Sequence, residues 1–290
     1  MSRAGAAMEG DRKVMARRTV FLMPVYNPAR DVLLRTVDSL LGQTEAADIV
    51  IVDDGSLQPV SEVLGSREGI IVLRLARNGG ITAALNYGLE HIVSLGYEYV
   101  ARMDCGDISA PERVAKQQAY MDSHPATDLV GAFADIVDER GNHLFFEGTP
   151  GGRAAIGRKL YDNAAFKHPT FFFRTACVRK FGVYSADYPH AEDYEFMRRL
   201  FERGEIDCLH DVLLVYEKNA DGISSRNRRT QLRSRLRVQL GYFQPAKPAA
   251  YAGVVRSLVT LLVPARIWTR LSRLYWDRQD KRVAVNSLPM

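Results

Sequence analysis
The chain has 290 residues, of which 47% are hydrophobic, 25% charged and 9% aromatic. Those fractions exclude collagen-like, low-complexity and largely disordered classes. The net charge of +5 is a sum of unlike parts, +3 over residues 1–18, +12 over 226–290 and −10 over 19–225; an acidic body with basic ends is the reverse of what a nucleic-acid-binding body shows.

The first 18 residues have no apolar core of the signal-peptide kind and read as a disordered basic lead-in. Residues 19–25 are a short apolar run and read as a buried strand. Residues 29–41 place apolar side chains at 33, 34, 37, 40 and 41, a helical period. Residues 49–52 are a second buried strand, 59–64 a short helix, 70–75 a third strand, and 81–95 a helix stopped by Gly96. A fourth strand covers 97–103, and Pro111 opens a helix to 123. Residues 128–137 and 143–147 form a hairpin across Gly141-Asn142, and His168-Pro169-Thr170 reads as strand. Strands alternating with helices predict βαβ units and a mostly parallel sheet.

The three cysteines, Cys105, Cys177 and Cys208, are far apart and odd in number. They suggest neither a disulfide framework nor a zinc site, and fit a reducing compartment. No run approaches the roughly 18 uncharged apolar residues that span a bilayer.

Ligands of parallel sheets bind beyond the carboxyl ends of the strands. Those ends carry Pro24-Val25-Tyr26-Asn27, Asp53-Asp54-Gly55-Ser56, Arg77-Asn78-Gly79-Gly80 and Asp104-Cys105-Gly106-Asp107. Carboxylates there can accept hydrogen bonds from ribose or base, or hold a hard cation that neutralises a diphosphate. The alternative is that Asp and Gly only make the turns.

With these motifs, KHPTFFF at 167–173 and AEDYEFMRRL at 191–200, the chain resembles family 2 glycosyltransferases of the bacterial cell-surface polysaccharide type over about residues 19–205. The resemblance implies an α/β GT-A fold, with a Rossmann-like, mostly parallel central sheet flanked by helices. It implies a catalytic domain at 19–225 and a basic, amphipathic helical extension at 226–290. It also implies transfer of a sugar from a nucleotide-diphosphate donor to an acceptor hydroxyl, with Mg²⁺ or Mn²⁺.

Carried over by motif, Pro24, Tyr26 and Asp54 line the nucleotide pocket, and Asp53 orients the turn or shares the base and ribose contacts. Tyr26 stacks on the base or is a core tyrosine. Asn78 and Gly80 belong to the loop over the nucleotide, or cap the next helix. Arg102 lies beside the donor phosphates or pairs with an aspartate. Asp104 and Asp107 hold the metal, although Gly106 stands where relatives carry an acid; a catalytically impaired nucleotide-sugar-binding protein is the alternative. Asp193 of the Glu192-Asp193 pair is the general base of an inverting reaction, or an acid favoured by a helix start. His168 is a pocket wall or a metal contact. The Gln-x-x-Arg-Trp motif of processive synthases is absent, so one sugar per encounter is expected.

Six arginines lie between Arg226 and Arg237, which an RNA-binding module or a solvated helix would explain. In a helix over 257–275, Arg256, Arg266, Arg270 and Arg273 share one face, and Leu261, Trp268, Leu271 and Tyr275 share the other. That composition suits a helix lying on an anionic membrane surface, against packing on the body or a homodimer contact. The expected partners are a nucleotide-sugar donor and a lipid-linked or saccharide acceptor. The expected location is cytoplasmic, peripheral on the inner face of the cell membrane.

Overall fold
The structure is a computed structural model that describes residues 17–150, 152–218 and 227–263. The chain runs β1 (Thr19–Val25), α1 (Arg30–Leu41), β2 (Asp48–Asp53), α2 (Val60–Leu64), β3 (Ile70–Arg74), α3 (Ile81–Leu95) and β4 (Tyr99–Arg102). It continues with β5 (Ile108–Ser109), α4 (Arg113–Ser123), β6 (Thr127–Val137), β7 (His143–Glu147) and α5 (Gly152–Lys159). Then come a 3₁₀ turn (His168–Thr170), β8 (Phe172–Arg174), α6 (Ala176–Phe181), α7 (Glu192–Arg203), β9 (Glu205–Glu217), α8 (Arg228–Gly241) and α9 (Pro248–Leu262).

One sheet runs β3-β2-β1-β4-β8-β6-β9-β5, with β7 on β6. Strands β3, β2, β1 and β4 are parallel. From β8 onward antiparallel pairs enter, and β6 and β9 form a long parallel ladder. Side chains alternate across each strand, so β1 sends Val20 and Leu22 to one core and Phe21 and Met23 to the other. Helix α3 covers the first core, and α1 with α4 the second. All four residues are fully buried, which explains a strand apolar throughout rather than alternating.

The βαβ register and the β6–β7 hairpin were legible, and strands β5, β8 and β9 were not. Strand β9 carries Asp207, His210 and Asp211 in a ladder broken by register shifts against β6, so its apolar period is obscured. His168-Pro169-Thr170 forms a 3₁₀ turn ahead of β8 rather than a strand, because the Phe171 amide closes back onto the His168 carbonyl. Pro111 sits just outside α4, which begins at Arg113. Arg17 and Arg18, assigned from sequence to the lead-in, are pinned to Asp48 and to Asp122 and Glu98; residues 1–16 lie outside the described residues.

The helical extension packs on the body. Gln239 of α8 donates to the carbonyls of Tyr161 and Asp162, and Tyr242 donates to Glu195. Of the helix expected over 257–275, the described part belongs to α9, which runs from Pro248 to Leu262, and Arg256 pairs with Asp162. Residues 264–275 lie outside the described residues.

Helix α3 approaches the sheet at Gly88, where an added Cβ would collide with Leu22 and lie 2.8 Å from Val52. Gly88→Ala is expected to cost about 1–3 kcal/mol through overpacking, read as a lowered urea midpoint with an unchanged slope.

Candidate active site
The parallel strands end along one edge, where Val25 pairs with Asp53 and Asp53 with Arg74. Asp53 is fully buried. It accepts the amides of Ser56 at 2.8 Å and Val60 at 3.1 Å, and Arg74 at 2.8 Å. Burial alone would raise its carboxyl, but the Ser56 hydroxyl, these amides and Arg74 hold it below the ordinary value. Its carboxylate is thus engaged in ordering the turn.

Asp54 reaches across to the next loop and accepts the amides of Gly79 at 2.7 Å and Gly80 at 2.9 Å. The two loops approach so closely that a Cβ on Gly55, at φ +73°, would lie 2.7 Å from the Arg77 carbonyl carbon. Only glycine meets both demands. Asn78 is exposed and does not cap α3; the N-cap is Gly80, with no side-chain bond. Asn27, at φ +46°, joins the same turn through Ser56 and Leu57. Pro24 is half-buried opposite Val52, and Tyr26 is 53% exposed, which removes the core-tyrosine alternative.

Arg102 ends β4 with no solvent exposure. Its guanidinium is ion-paired with Asp104, whose side chain is 36% exposed. Its Nε and Nη2 have no hydrogen-bond partner among the described residues. The Arg102 charge also acts on Asp107, His168, Glu192 and Asp193. Arg102 therefore stands among four carboxylates, and Lys167 also acts on Asp107 and Asp193.

The turn after β4 explains the missing acid. Gly106 has φ +115°, a conformation that an L side chain rarely adopts. Its amide donates to the Thr36 hydroxyl at 2.9 Å, and that hydroxyl donates to the Asp107 carbonyl at 3.0 Å. Asp107 is buried, and its Oδ2 has no hydrogen-bond partner among the described residues. Burial and then the Asp104 charge push its carboxyl well above the ordinary value. Among the described residues no group of three or more His, Cys, Asp or Glu is arranged to hold a metal. One accessible and one buried carboxylate nevertheless fit a hard cation shared with a diphosphate, which needs only one or two protein ligands.

Helix α7 opens with the second acidic pair. Glu192 is 5% exposed and its Oε2 has no partner. Burial and then Asp193 push its carboxyl up to about 7. Asp193 is half-buried and its Oδ1 accepts the Tyr194 amide at 2.7 Å. Burial raises it too, against that amide and Arg102. The pair is thus differentiated by exposure, with Glu192 buried, Asp193 half-buried, and both carboxyls raised by burial.

His168 Nε2 lies 2.8 Å from the Tyr184 hydroxyl. Burial and then Arg102 hold the imidazole well below its ordinary value, so it is neutral, the form that suits either a pocket wall or a metal contact. Sequence reasoning missed Tyr184 and Asn86. Asn86 on α3 grips the backbone of Tyr184 through its side-chain amide, at 2.9 and 3.0 Å. Helix α3 thereby positions His168. Asn86 falls inside the RNGGITAALNYGL motif, which was the available signal; Tyr184 had none.

Because the raised Glu192 carboxyl binds its proton more tightly folded than unfolded, its stabilisation is full below about pH 4.5 and is lost as pH rises through about 7. In metal-free buffer, Glu192→Gln should therefore gain stability relative to wild type between pH 5 and pH 8, on the order of 2 kcal/mol, measured by thermal unfolding.

A model of the family described as "Glycosyl transferase family 2" matches residues 20–184. The chain is 32% identical over 257 residues to the amylovoran biosynthesis glycosyltransferase AmsE of Erwinia amylovora, covering 86% of this chain and 92% of that one. It is 30% identical to the O-antigen biosynthesis glycosyltransferase WbnJ of Escherichia coli, over 62% of this chain and 72% of that one. Among solved structures it is similar to S. aureus TarS 1–349 in complex with UDP-GlcNAc, with TM-score 0.63, 20% identity, and 84% and 71% of the two chains covered. It is also similar to the mannosyltransferase PcManGT of Pyrobaculum calidifontis in complex with GDP-Man and Mn²⁺, with TM-score 0.60, 15% identity, and 99% and 85% covered. These structural likenesses carry the GT-A fold. The doubly tethered loops, the buried arginine among carboxylates and the extent of these matches lead to one conclusion: the chain is a glycosyltransferase and belongs to glycosyl transferase family 2.

Proposed function
We propose that the enzyme is inverting and non-processive, and moves a sugar from a nucleotide-diphosphate donor to the hydroxyl of a lipid-linked or saccharide acceptor in surface polysaccharide or glycolipid synthesis. The observation that carries this is the acidic pair at the start of α7, in which Asp193 is the more exposed and accepts the Tyr194 amide, while Glu192 is buried and its carboxyl is pushed up to about 7. A base works best with a pKa close to the working pH, and burial moves Asp193 in that direction.

Asp193 takes the acceptor hydroxyl proton. The acceptor oxygen then bonds to the anomeric carbon from the face opposite the diphosphate, and the bond to the diphosphate breaks. The N–H groups of Arg102 that lack partners are available to the departing negative charge. Pro24, Tyr26, Asp54, Asn78 and Gly80 would hold the nucleotide, and Asp53 keeps their turn in shape. Asp104, with Asp107 behind it, would hold Mg²⁺ or Mn²⁺, which neutralises the diphosphate when bound. Single transfers fit the absence of the processive motif.

No helix among the described residues is long and apolar enough to cross a membrane. The proposed location is cytoplasmic, peripheral on the inner face of the cell membrane, with the basic 226–290 segment drawn to anionic lipid. RNA binding is disfavoured, since Arg228, Arg235 and Arg237 are engaged with Thr260, Ser257 and Asp187.

Asp193→Asn should lower transfer by about 10²–10⁴-fold while calorimetric binding of UDP or GDP with Mn²⁺ is retained; unchanged turnover overturns the assignment. Asp104→Asn should remove the Mn²⁺-dependent gain in nucleotide affinity. A wild-type protein that binds nucleotide but turns over no nucleotide-sugar would establish the impaired reading favoured by Gly106.

A further inference from the structure
Helix α9 is amphipathic the wrong way round for a helix closing a soluble body. Its inward positions are small or polar: Ala250, Gly253, Ser257 and Thr260 are buried. Its outward positions are large and apolar. Tyr251, Val255, Leu258, Val259 and Leu262 are all exposed, Val255 by 57% and Leu262 by 82%. At 100° per residue these five fall within an arc of about 100°. They form one stripe along the helix, where water-facing positions are ordinarily polar.

The inward face explains how the helix is held without large apolar contacts. Gly253 lies so close to the Tyr161 carbonyl that a Cβ would overlap it. Ser257 accepts Arg235, the Thr260 carbonyl accepts Arg228, and Arg256 pairs with Asp162. The attachment is close and largely polar, with Val254 and Leu261 half-buried and Tyr251 edge-on to Phe243, and the larger part of the apolar surface is left outward.

Charge selects the occupant. Residues 226–276 contain no Asp or Glu. On the neighbouring α8, Arg229, Arg233 and Arg237 are exposed and share a face with the exposed Leu240, within an arc of about 80°. Lys247 stands exposed at the start of α9. Two copies meeting through this hairpin would oppose like charges, which disfavours a dimer. An apolar stripe flanked by arginine and lysine matches the boundary between headgroups and acyl chains of an anionic bilayer.

We infer that the outward face of α9, with the arginine face of α8, docks on an anionic lipid bilayer. This rests on the membrane-facing part of the proposed function and adds to it a specific surface. It also sets how the site is presented. Arg237 of α8 donates to the Asp187 carbonyl at 2.7 Å and lies over the Tyr188 ring, and that loop leads into Glu192-Asp193. A hairpin seated on the bilayer would therefore hold the acceptor side of the site at the lipid surface.

The test is flotation of the full chain with vesicles of phosphatidylcholine alone or with phosphatidylglycerol. Wild type should float with the anionic vesicles, and the triple variant Val255→Ser, Leu258→Ser, Leu262→Ser should lose about tenfold or more in partition. Thermal stabilisation by UDP or GDP with Mn²⁺ should be unchanged in that variant, which shows that it is folded. Arg229→Gln with Arg233→Gln should weaken flotation and flatten its salt dependence. Equal partition of the triple variant and wild type overturns the docking face and leaves the membrane reading standing. Failure of wild type to float overturns both, whatever the transfer assay gives. A wild-type dimer in light scattering that the triple variant disperses, without flotation, would assign the stripe to a second copy instead.

Discussion

A guanidinium buried without water must be neutralised where it lies, and Arg102 is such a group. It ends the central strand β4, which sits between β1 and β8. The chain brings four carboxylates around it from two distant segments, Asp104 and Asp107 from the turn after β4, and Glu192 and Asp193 from the start of α7. Only Asp104 is ion-paired with it. The other three are displaced upward in pKa, because burial costs them more than Arg102 returns. Such a cluster is poorly balanced for stability alone. It suits a site that receives further charge, the diphosphate and its cation, and it supplies the physical reason for placing the chemistry there.

The nucleotide side is built on a different economy. Asp53 and Asp54 spend their hydrogen bonds on backbone amides, one closing its own turn and the other tying down Gly79 and Gly80. The adjacent aspartates thus do unlike work, and the pocket is shaped before any ligand enters. Asn86 carries that order onward, from α3 to Tyr184 and His168. The 77–80 loop, Tyr184 and His168 therefore belong to one connected frame, while α8 holds the loop before Glu192-Asp193 through Arg237 and Tyr188.

Much of this was legible from particular residues. The apolar runs of β1 and β2, the helical period of α1 and the Gly96 stop of α3 come from local chemistry, and the structure repeats them within a residue or two. The strand-end motifs then follow from topology, since parallel strands all end on the same edge. Strands β8 and β9 escaped detection. Phe172–Arg174 is too short to show a period, and the pattern of Glu205–Glu217 is broken by charges and register shifts. Helix α9 begins nine residues before the amphipathic helix read from the sequence, and a wheel shows two faces but not which one the body covers.

The sequence by itself determined the βαβ framework, the order of the motifs and the sign of charge in each part of the chain, because these depend on neighbours along the chain. Tertiary structure alone decided the roles of the charged residues. Asp53 and Asp54 differ because one faces its own turn and the other the next loop. Glu192 and Asp193 differ because one is buried and the other half-buried. Gly106 sits at a left-handed turn that favours glycine over any acid. The outward face of α9 is apolar because polar contacts to Tyr161, Asp162 and α8 had already claimed the inward one. Each distinction rests on burial and on partners remote in sequence, which set whether a carboxylate is charged and which face of a helix meets water.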